Sequence, residues 1–178
     1  MTKRRSIGIG LLAAGILALA AGLAWRQLGE DGVFPATRRD GSTLMSLAFP
    51  DADGRPQSLN QWNGKVLVVN FWATWCEPCR EEMPRFIKLQ DRYGKEGLQF
   101  VGIAIDQADK VKQFASDIHL NYPALLGGYG AIELSKTLGN QYGALPFTVI
   151  VNRTGSIVYT KLGPVEDRQL ESILAKLS

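Results

Sequence analysis

The stretch Val66-Leu67-Val68-Val69-Asn70-Phe71 constrains this chain more than any other. It is nearly all apolar and rich in β-branched residues, so as a strand it needs cover on both faces. That places it centrally in a sheet flanked by helices. A second such run occupies residues 98–105. Between the two, Glu77 to about Tyr93 carries Met83, Phe86, Ile87 and Tyr93 at helical spacing. Strand, helix and strand with a connection of this length form a right-handed βαβ unit. Residues 146–151 and 156–160 then flank Asn152-Arg153-Thr154-Gly155, the pattern of a hairpin. Leu170, Ile173, Leu174 and Leu177, at i, i+3, i+4 and i+7, predict a closing amphipathic helix. Two further helices are expected near residues 111–118 and 132–138. The fold class is α/β, a central mixed β-sheet flanked by helices with a short α insertion.

Ahead of this domain, Lys3, Arg4 and Arg5 precede an uncharged run of 20 residues, Ser6 to Trp25. As a helix such a run spans about 30 Å, the hydrocarbon thickness of a bilayer. Residues 1–25 therefore read as a signal anchor or as a signal peptide. The length fits an uncleaved anchor, and the small residues around Ala18-Leu19-Ala20 and Ala21-Gly22-Leu23-Ala24 fit cleavage. Either way the positive-inside rule sends Arg26 onward across the membrane. As an anchor it makes a single pass through the inner (cytoplasmic) membrane, with the domain on the periplasmic or extracytoplasmic side. Residues 26–42, polar with Gly and Pro, read as a linker, and residues 43–178 as the domain. Charge agrees with this partition. The net charge is +3, and setting aside Lys3, Arg4 and Arg5 leaves 17 of the 20 basic residues against 17 acidic ones. The excess belongs to the leading segment and is not a nucleic-acid footprint.

Both cysteines, Cys76 and Cys79, stand in Phe71-Trp72-Ala73-Thr74-Trp75-Cys76-Glu77-Pro78-Cys79-Arg80. A structural disulfide here closes too small a loop to stabilise much. Zinc needs about four ligands, and beyond these cysteines the chain offers a single histidine, His119. Haem attachment needs a histidine where Arg80 stands. A redox couple has a mechanism at this place. Cys76 falls where the strand gives way to the helix, and free amides and the helix dipole there stabilise a thiolate. Cys79, one turn on, resolves the mixed disulfide that Cys76 forms. Pro78 suits the first helical turn, where its missing N–H costs nothing.

The run from Val68 to Arg80, followed by Glu82-Met83-Pro84, resembles the thioredoxin superfamily, and within it the membrane-anchored TlpA/ResA-like thiol-disulfide oxidoreductases. The resemblance covers roughly residues 43–178 and implies a thioredoxin-like fold. It implies an exported reductant of protein disulfides, in apocytochrome c or copper-site maturation for example, recharged by a membrane electron-donor thiol oxidoreductase. It also implies that Pro146 in Ala144-Leu145-Pro146-Phe147 is a cis-proline lying against the cysteines, with Leu145 offering its backbone to an extended substrate. Trp75 and Pro78 complete the expected substrate-binding set. No cofactor and no metal are expected. Pro84 matches a helix-kinking proline of the family.

The chain departs from thioredoxins at Asn70, where they carry a buried aspartate that moves the proton of the second cysteine. An amide cannot be that base. Glu77, inside the motif, becomes the candidate replacement; as a plain alternative, its carboxylate complements the helix dipole in the first turn. Two other activities fit the fold. In a peroxiredoxin-like peroxidase the nucleophile follows Pro-x-x-x-Thr-x-x-Cys, but Val69 and Ala73 occupy those places here. A Cu(I) metallochaperone would use both thiolates, with Met83 the only soft helper nearby. His119 reads as a surface residue, Trp72 as core, and Gly127-Gly128-Tyr129-Gly130 as a flexible connection.

Overall fold

The computed structural model describes residues 39–177. The expected signal anchor and most of the linker lie outside them, and no helix among the described residues is long and apolar enough to cross a membrane. Eight strands and five helices follow in chain order. They are β1 (Arg39–Asp40), α1 (Ser42–Met45), β2 (Ala48–Pro50), β3 (Pro56–Ser58), β4 (Val66–Trp72), α2 (Glu77–Tyr93), β5 (Leu98–Ala104), α3 (Ala108–Asp117), β6 (Ala124–Leu126), α4 (Gly130–Thr137), β7 (Phe147–Val151), β8 (Ser156–Leu162) and α5 (Asp167–Leu177). Six strands make one sheet in the order β1-β8-β7-β4-β5-β6. β4, β5 and β6 run parallel, whereas β7 is antiparallel to β4 and β8 to β7.

Every residue of β4 is buried, as its composition requires, and the pleat sorts them between two cores. Val66, Val68 and Trp72 join Met83, Phe86, Leu170 and Leu174 on the face covered by α2 and α5. Leu67, Val69 and Phe71 join Leu44, Leu59, Trp62 and Ala131 on the other. Asn70 has the parity of the first group and is therefore a polar residue aimed at α2. The hairpin between β7 and β8 closes as its sequence predicts. The Asn152 side-chain oxygen accepts from the amides of Thr154 and Ser156 at 3.1 and 2.9 Å, and Gly155 takes φ +81°.

Three pieces were not expected from the sequence. Arg39 and Asp40, in the stretch read as linker, pair with Ile157 and Ser156 and extend the sheet. β2 and β3 form a small antiparallel ribbon, and Asp51 beyond it bridges to Leu125 of β6. β6 itself lies between the two helices foreseen in the insertion and pairs with β5. None of these strands exceeds three residues, too short for a period of two to be visible.

The centre of the sheet tolerates little added volume. A Cβ built on Gly102 of β5 would meet Trp72 Nε1 at 2.7 Å and Cδ1 at 3.2 Å. That indole is fully buried, with its ring centroid 5.5 Å from the Phe114 ring. Gly102→Ala is expected to cost about 1–3 kcal/mol in urea unfolding; an unchanged midpoint would show that Trp72 can move aside.

Candidate active site

The parallel arrangement of β4, β5 and β6 gathers the loops that follow them at one end of the sheet, and β7 begins at that same end. β4 stops at Trp72, and Cys76 becomes the N-cap of α2, with extended backbone (φ −88°, ψ 103°) and no side-chain capping hydrogen bond. Its carbonyl accepts from the Arg80 amide at 3.1 Å. Pro78 occupies the first turn, as predicted. Cys76 and Cys79 are joined in a disulfide with Cα atoms 5.3 Å apart. Cys76 is 6% exposed and Cys79 not at all, so an incoming thiol or disulfide meets Cys76 first. The Leu145–Pro146 peptide at the start of β7 is cis, as the resemblance implied.

Two carboxylates shape the ground around the cysteines. Asp106, just past β5, accepts from both the amide and the hydroxyl of Thr74, and from the Gln107 amide at 2.8 Å. It thereby ties the loop ahead of Cys76 to the neighbouring strand. Burial alone would raise the Asp106 carboxyl, but the hydrogen bonds from Thr74 and Gln107 outweigh it and hold the group below its ordinary value. The second carboxylate is Glu82. Helical spacing puts it three residues after Cys79 on the same face of α2, and both are fully buried. Its Oε1 accepts from Asn70 Nδ2 at 2.8 Å, and its Oε2 from the Val165 amide at 3.3 Å. Asn70 Nδ2 also donates to the Thr148 hydroxyl on β7 at 3.1 Å. Burial pushes the Glu82 carboxyl from 4.5 up to about 7, and the hydrogen bonds from Asn70 and Val165, with the charge of Arg85, undo only part of that rise. This carboxyl stands one helical turn from Cys79 on the buried face of α2.

A family model, Redoxin, matches residues 34–177. The chain belongs to the Redoxin family. The thiol-disulfide oxidoreductase ResA of Geobacillus thermodenitrificans is 31% identical over 140 residues, covering 75% of this chain and 77% of its own. ResA of Halalkalibacterium halodurans is 26% identical over 180 positions, covering 98% of this chain and 96% of its own. Among solved structures, a thiol:disulfide interchange protein of the thioredoxin family from Chlorobium tepidum superposes with a TM-score of 0.70 at 26% identity, over 80% of this chain and 97% of that one. This redoxin is thus a thioredoxin-fold, ResA/TlpA-like oxidoreductase, and its dithiol is the redox-active pair. The relatives do not favour the peroxidase or Cu(I) readings.

Within this redoxin the carboxylate that meets Asn70 is Glu82, not Glu77. Glu77 is exposed in the first turn of α2, and its side chain makes no hydrogen bond or ion pair among the described residues. The reason is rotational. Two positions before Cys79, Glu77 falls off the stripe formed by Cys79, Glu82, Met83 and Phe86. That stripe was the legible signal, because an acid at i+3 from the second cysteine interrupts an otherwise apolar face. Trp75 is 68% exposed beside Cys76, whereas Trp72 is core. Leu145 is half-buried, Pro146 is buried and His119 is exposed. Pro84 lies inside α2. Asp106 carried no sequence signal, since one acid after an apolar strand is ordinary.

The folded protein holds the Glu82 proton more tightly than an unfolded chain does. Its contribution to stability is complete below pH 4.5 and is lost as pH rises through about 7. At roughly 1.4 kcal/mol per pK unit, the loss is about 3.5 kcal/mol at most. Glu82→Gln is expected to flatten the decline in unfolding free energy across that interval, measured by urea titration of the oxidised protein. A slope unchanged from wild type would assign it to other groups.

Proposed function

We propose that this chain is an exported, membrane-anchored reductase of protein disulfides, with Cys76 as nucleophile, Cys79 as resolving thiol and Glu82 as the proton acceptor for Cys79. The observation that carries the reading is the buried Glu82 on the Cys79 face of α2. In the reduced state the Cys76 thiolate attacks one sulfur of a client disulfide. A Cys76–client bond forms, the client S–S bond breaks, and the released client sulfur leaves as a thiolate that takes a proton. Cys79 then gives its proton to Glu82 and attacks the Cys76 sulfur. The Cys76–Cys79 bond closes, and the second client sulfur departs as a thiolate. Two electrons have passed to the client, and a membrane thiol oxidoreductase must return two to the protein.

Direction follows from the same carboxylate. When ionised, Glu82 opposes a second negative charge on Cys79, and a thiol whose ionisation is disfavoured makes the disulfide harder to reduce. That supports a reductant. Leu145 and Pro146 would receive the client as an added strand, with Trp75 and Pro78 flanking the reacting sulfurs. Among the described residues, neither the N–H nor the C=O of Leu145 has a hydrogen-bond partner. An anchor in residues 1–25 would keep the domain near its donor. The alignment with the Halalkalibacterium relative, reaching 98% of this chain, supports reading that segment with the rest. Clients in apocytochrome c or copper-site maturation are the proposed class.

Cys79→Ser is expected to accumulate a mixed disulfide on Cys76, visible by mass spectrometry under non-reducing conditions, while Cys76→Ser forms none. Glu82→Gln should slow release of the second client thiol on the order of a hundredfold at neutral pH without slowing the first attack. The couple should equilibrate below about −230 mV. A potential near −120 mV would make the protein an oxidant and overturn the direction; equal slowing of both steps would remove Glu82 from its role.

A further inference from the structure

The segment between α4 and β7 reaches the dithiol end as a loop closed by one side chain. Asn140 is fully buried, although it sits only two residues before exposed Tyr142. Its Nδ2 donates to the Ala144 carbonyl at 2.8 Å, and its Oδ1 accepts from the Ala144 amide at 3.2 Å. One carboxamide thus satisfies both backbone groups of a single residue, the pairing that a neighbouring strand would supply. The clamp is itself fixed to α4. The Asn140 amide donates to the Ser135 carbonyl at 3.0 Å, and Nδ2 also donates to the Ser135 hydroxyl at 3.0 Å. Between its two ends the chain turns back through Gly143, whose amide donates to the Asn140 carbonyl at 3.0 Å and whose φ is +61°.

The consequence falls on Leu145. Ala144 before it is held by Asn140, and the carbonyl of Pro146 after it accepts from the Gly163 amide at 2.9 Å. Leu145 stands at the bend between these two held neighbours, and its own N–H and C=O have no hydrogen-bond partner among the described residues. A local turn could otherwise consume them, because a loop with glycines at 139 and 143 has many closed conformations open to it.

We propose that Asn140 is a positioning residue for client docking: its clamp on Ala144 holds the loop so that Leu145 presents an unpaired backbone edge to polypeptide disulfides. The proposal rests on the reading of Leu145 as the client's strand partner. It confers discrimination between polypeptide and small disulfides, since only a polypeptide has a backbone to pair.

The test follows single turnovers of the full chain, reduced beforehand, by tryptophan fluorescence. One substrate is an extended peptide with an internal disulfide and the other is hydroxyethyl disulfide. Asn140→Ala is expected to raise the half-saturating peptide concentration about tenfold. The limiting rate and the rate with hydroxyethyl disulfide should hold. Asn140→Asp should match the alanine variant at about pH 8 and recover toward wild type near pH 5, because desolvation at this fully buried position raises the carboxyl and its protonated form donates again to the Ala144 carbonyl. Alanine offers no such recovery. Should the alanine variant not fold, the recovery of the aspartate variant decides. Equal losses with both substrates, an unchanged half-saturation, or no acid recovery overturns the proposal. A wild type that handles the peptide no better than hydroxyethyl disulfide overturns the strand-docking reading beneath it; a wild-type preference that survives both substitutions overturns only the role of Asn140.

Discussion

The hydrogen bond from Asn70 to Glu82 organises this molecule. Through it the central strand β4 grips the helix that carries Cys79, and two further bonds draw in β7 at Thr148 and the chain leading to α5 at Val165. Burying a carboxylate is expensive, and the neutral form is the cheaper one to bury. The donors around Glu82 are too few to cancel that cost, which is why its affinity for a proton rises to near neutrality. The same shortfall that weakens the fold at higher pH gives Glu82 the proton affinity that its proposed role beside Cys79 requires. A fuller set of donors would make Glu82 an ordinary anion, and none would leave it permanently neutral.

Burial separates the work of the two cysteines. Cys76 caps the helix and keeps a sliver of exposure, at the end where free amides and the helix dipole favour negative charge. Cys79 sits one turn deeper and is fully buried, beside the face that carries Glu82. Exposed Glu77 lies on the solvent side of the turn, whereas Glu82 is buried on the Cys79 face. The helix period thus decides which acid shares the buried face with Cys79, and nearness in sequence does not.

How far this was legible follows from the length of each signal. β4, β5, α2 and α5 are long enough for their periods to show, and the position of the dithiol between β4 and α2 follows from them. The short strands β1, β2, β3 and β6 have no period to read; β1 and β6 satisfy the backbone groups of the sheet's outer strands, and β2 and β3 pair with each other. At the site, Cys76 and Cys79 are plain in the sequence. Glu82 was in view within Glu82-Met83-Pro84, but its importance depends on Asn70 lying at the matching height of β4 and facing the same side. Asp106 and Asn140 are harder still. Their partners, Thr74 and Ala144, are backbone or small side chains, and such bonds leave no compositional trace.

Those last two residues share a physical logic. The loop before Cys76 and the loop before Pro146 both lack regular hydrogen bonding, and each is held by one polar side chain rooted in a neighbouring element. Asp106 stands at the end of β5, and Asn140 is tied to α4 through Ser135. Fixing a loop through one side chain orders a few residues at the cost of one rotamer, and leaves the remaining backbone groups uncommitted. A longer strand pairing would order the same loops more firmly but would use up the unpaired Leu145 edge on which the proposed docking rests. The dithiol end is therefore held by side chains where the centre of the sheet is held by ladders, because only the former leaves a free backbone beside the cysteines.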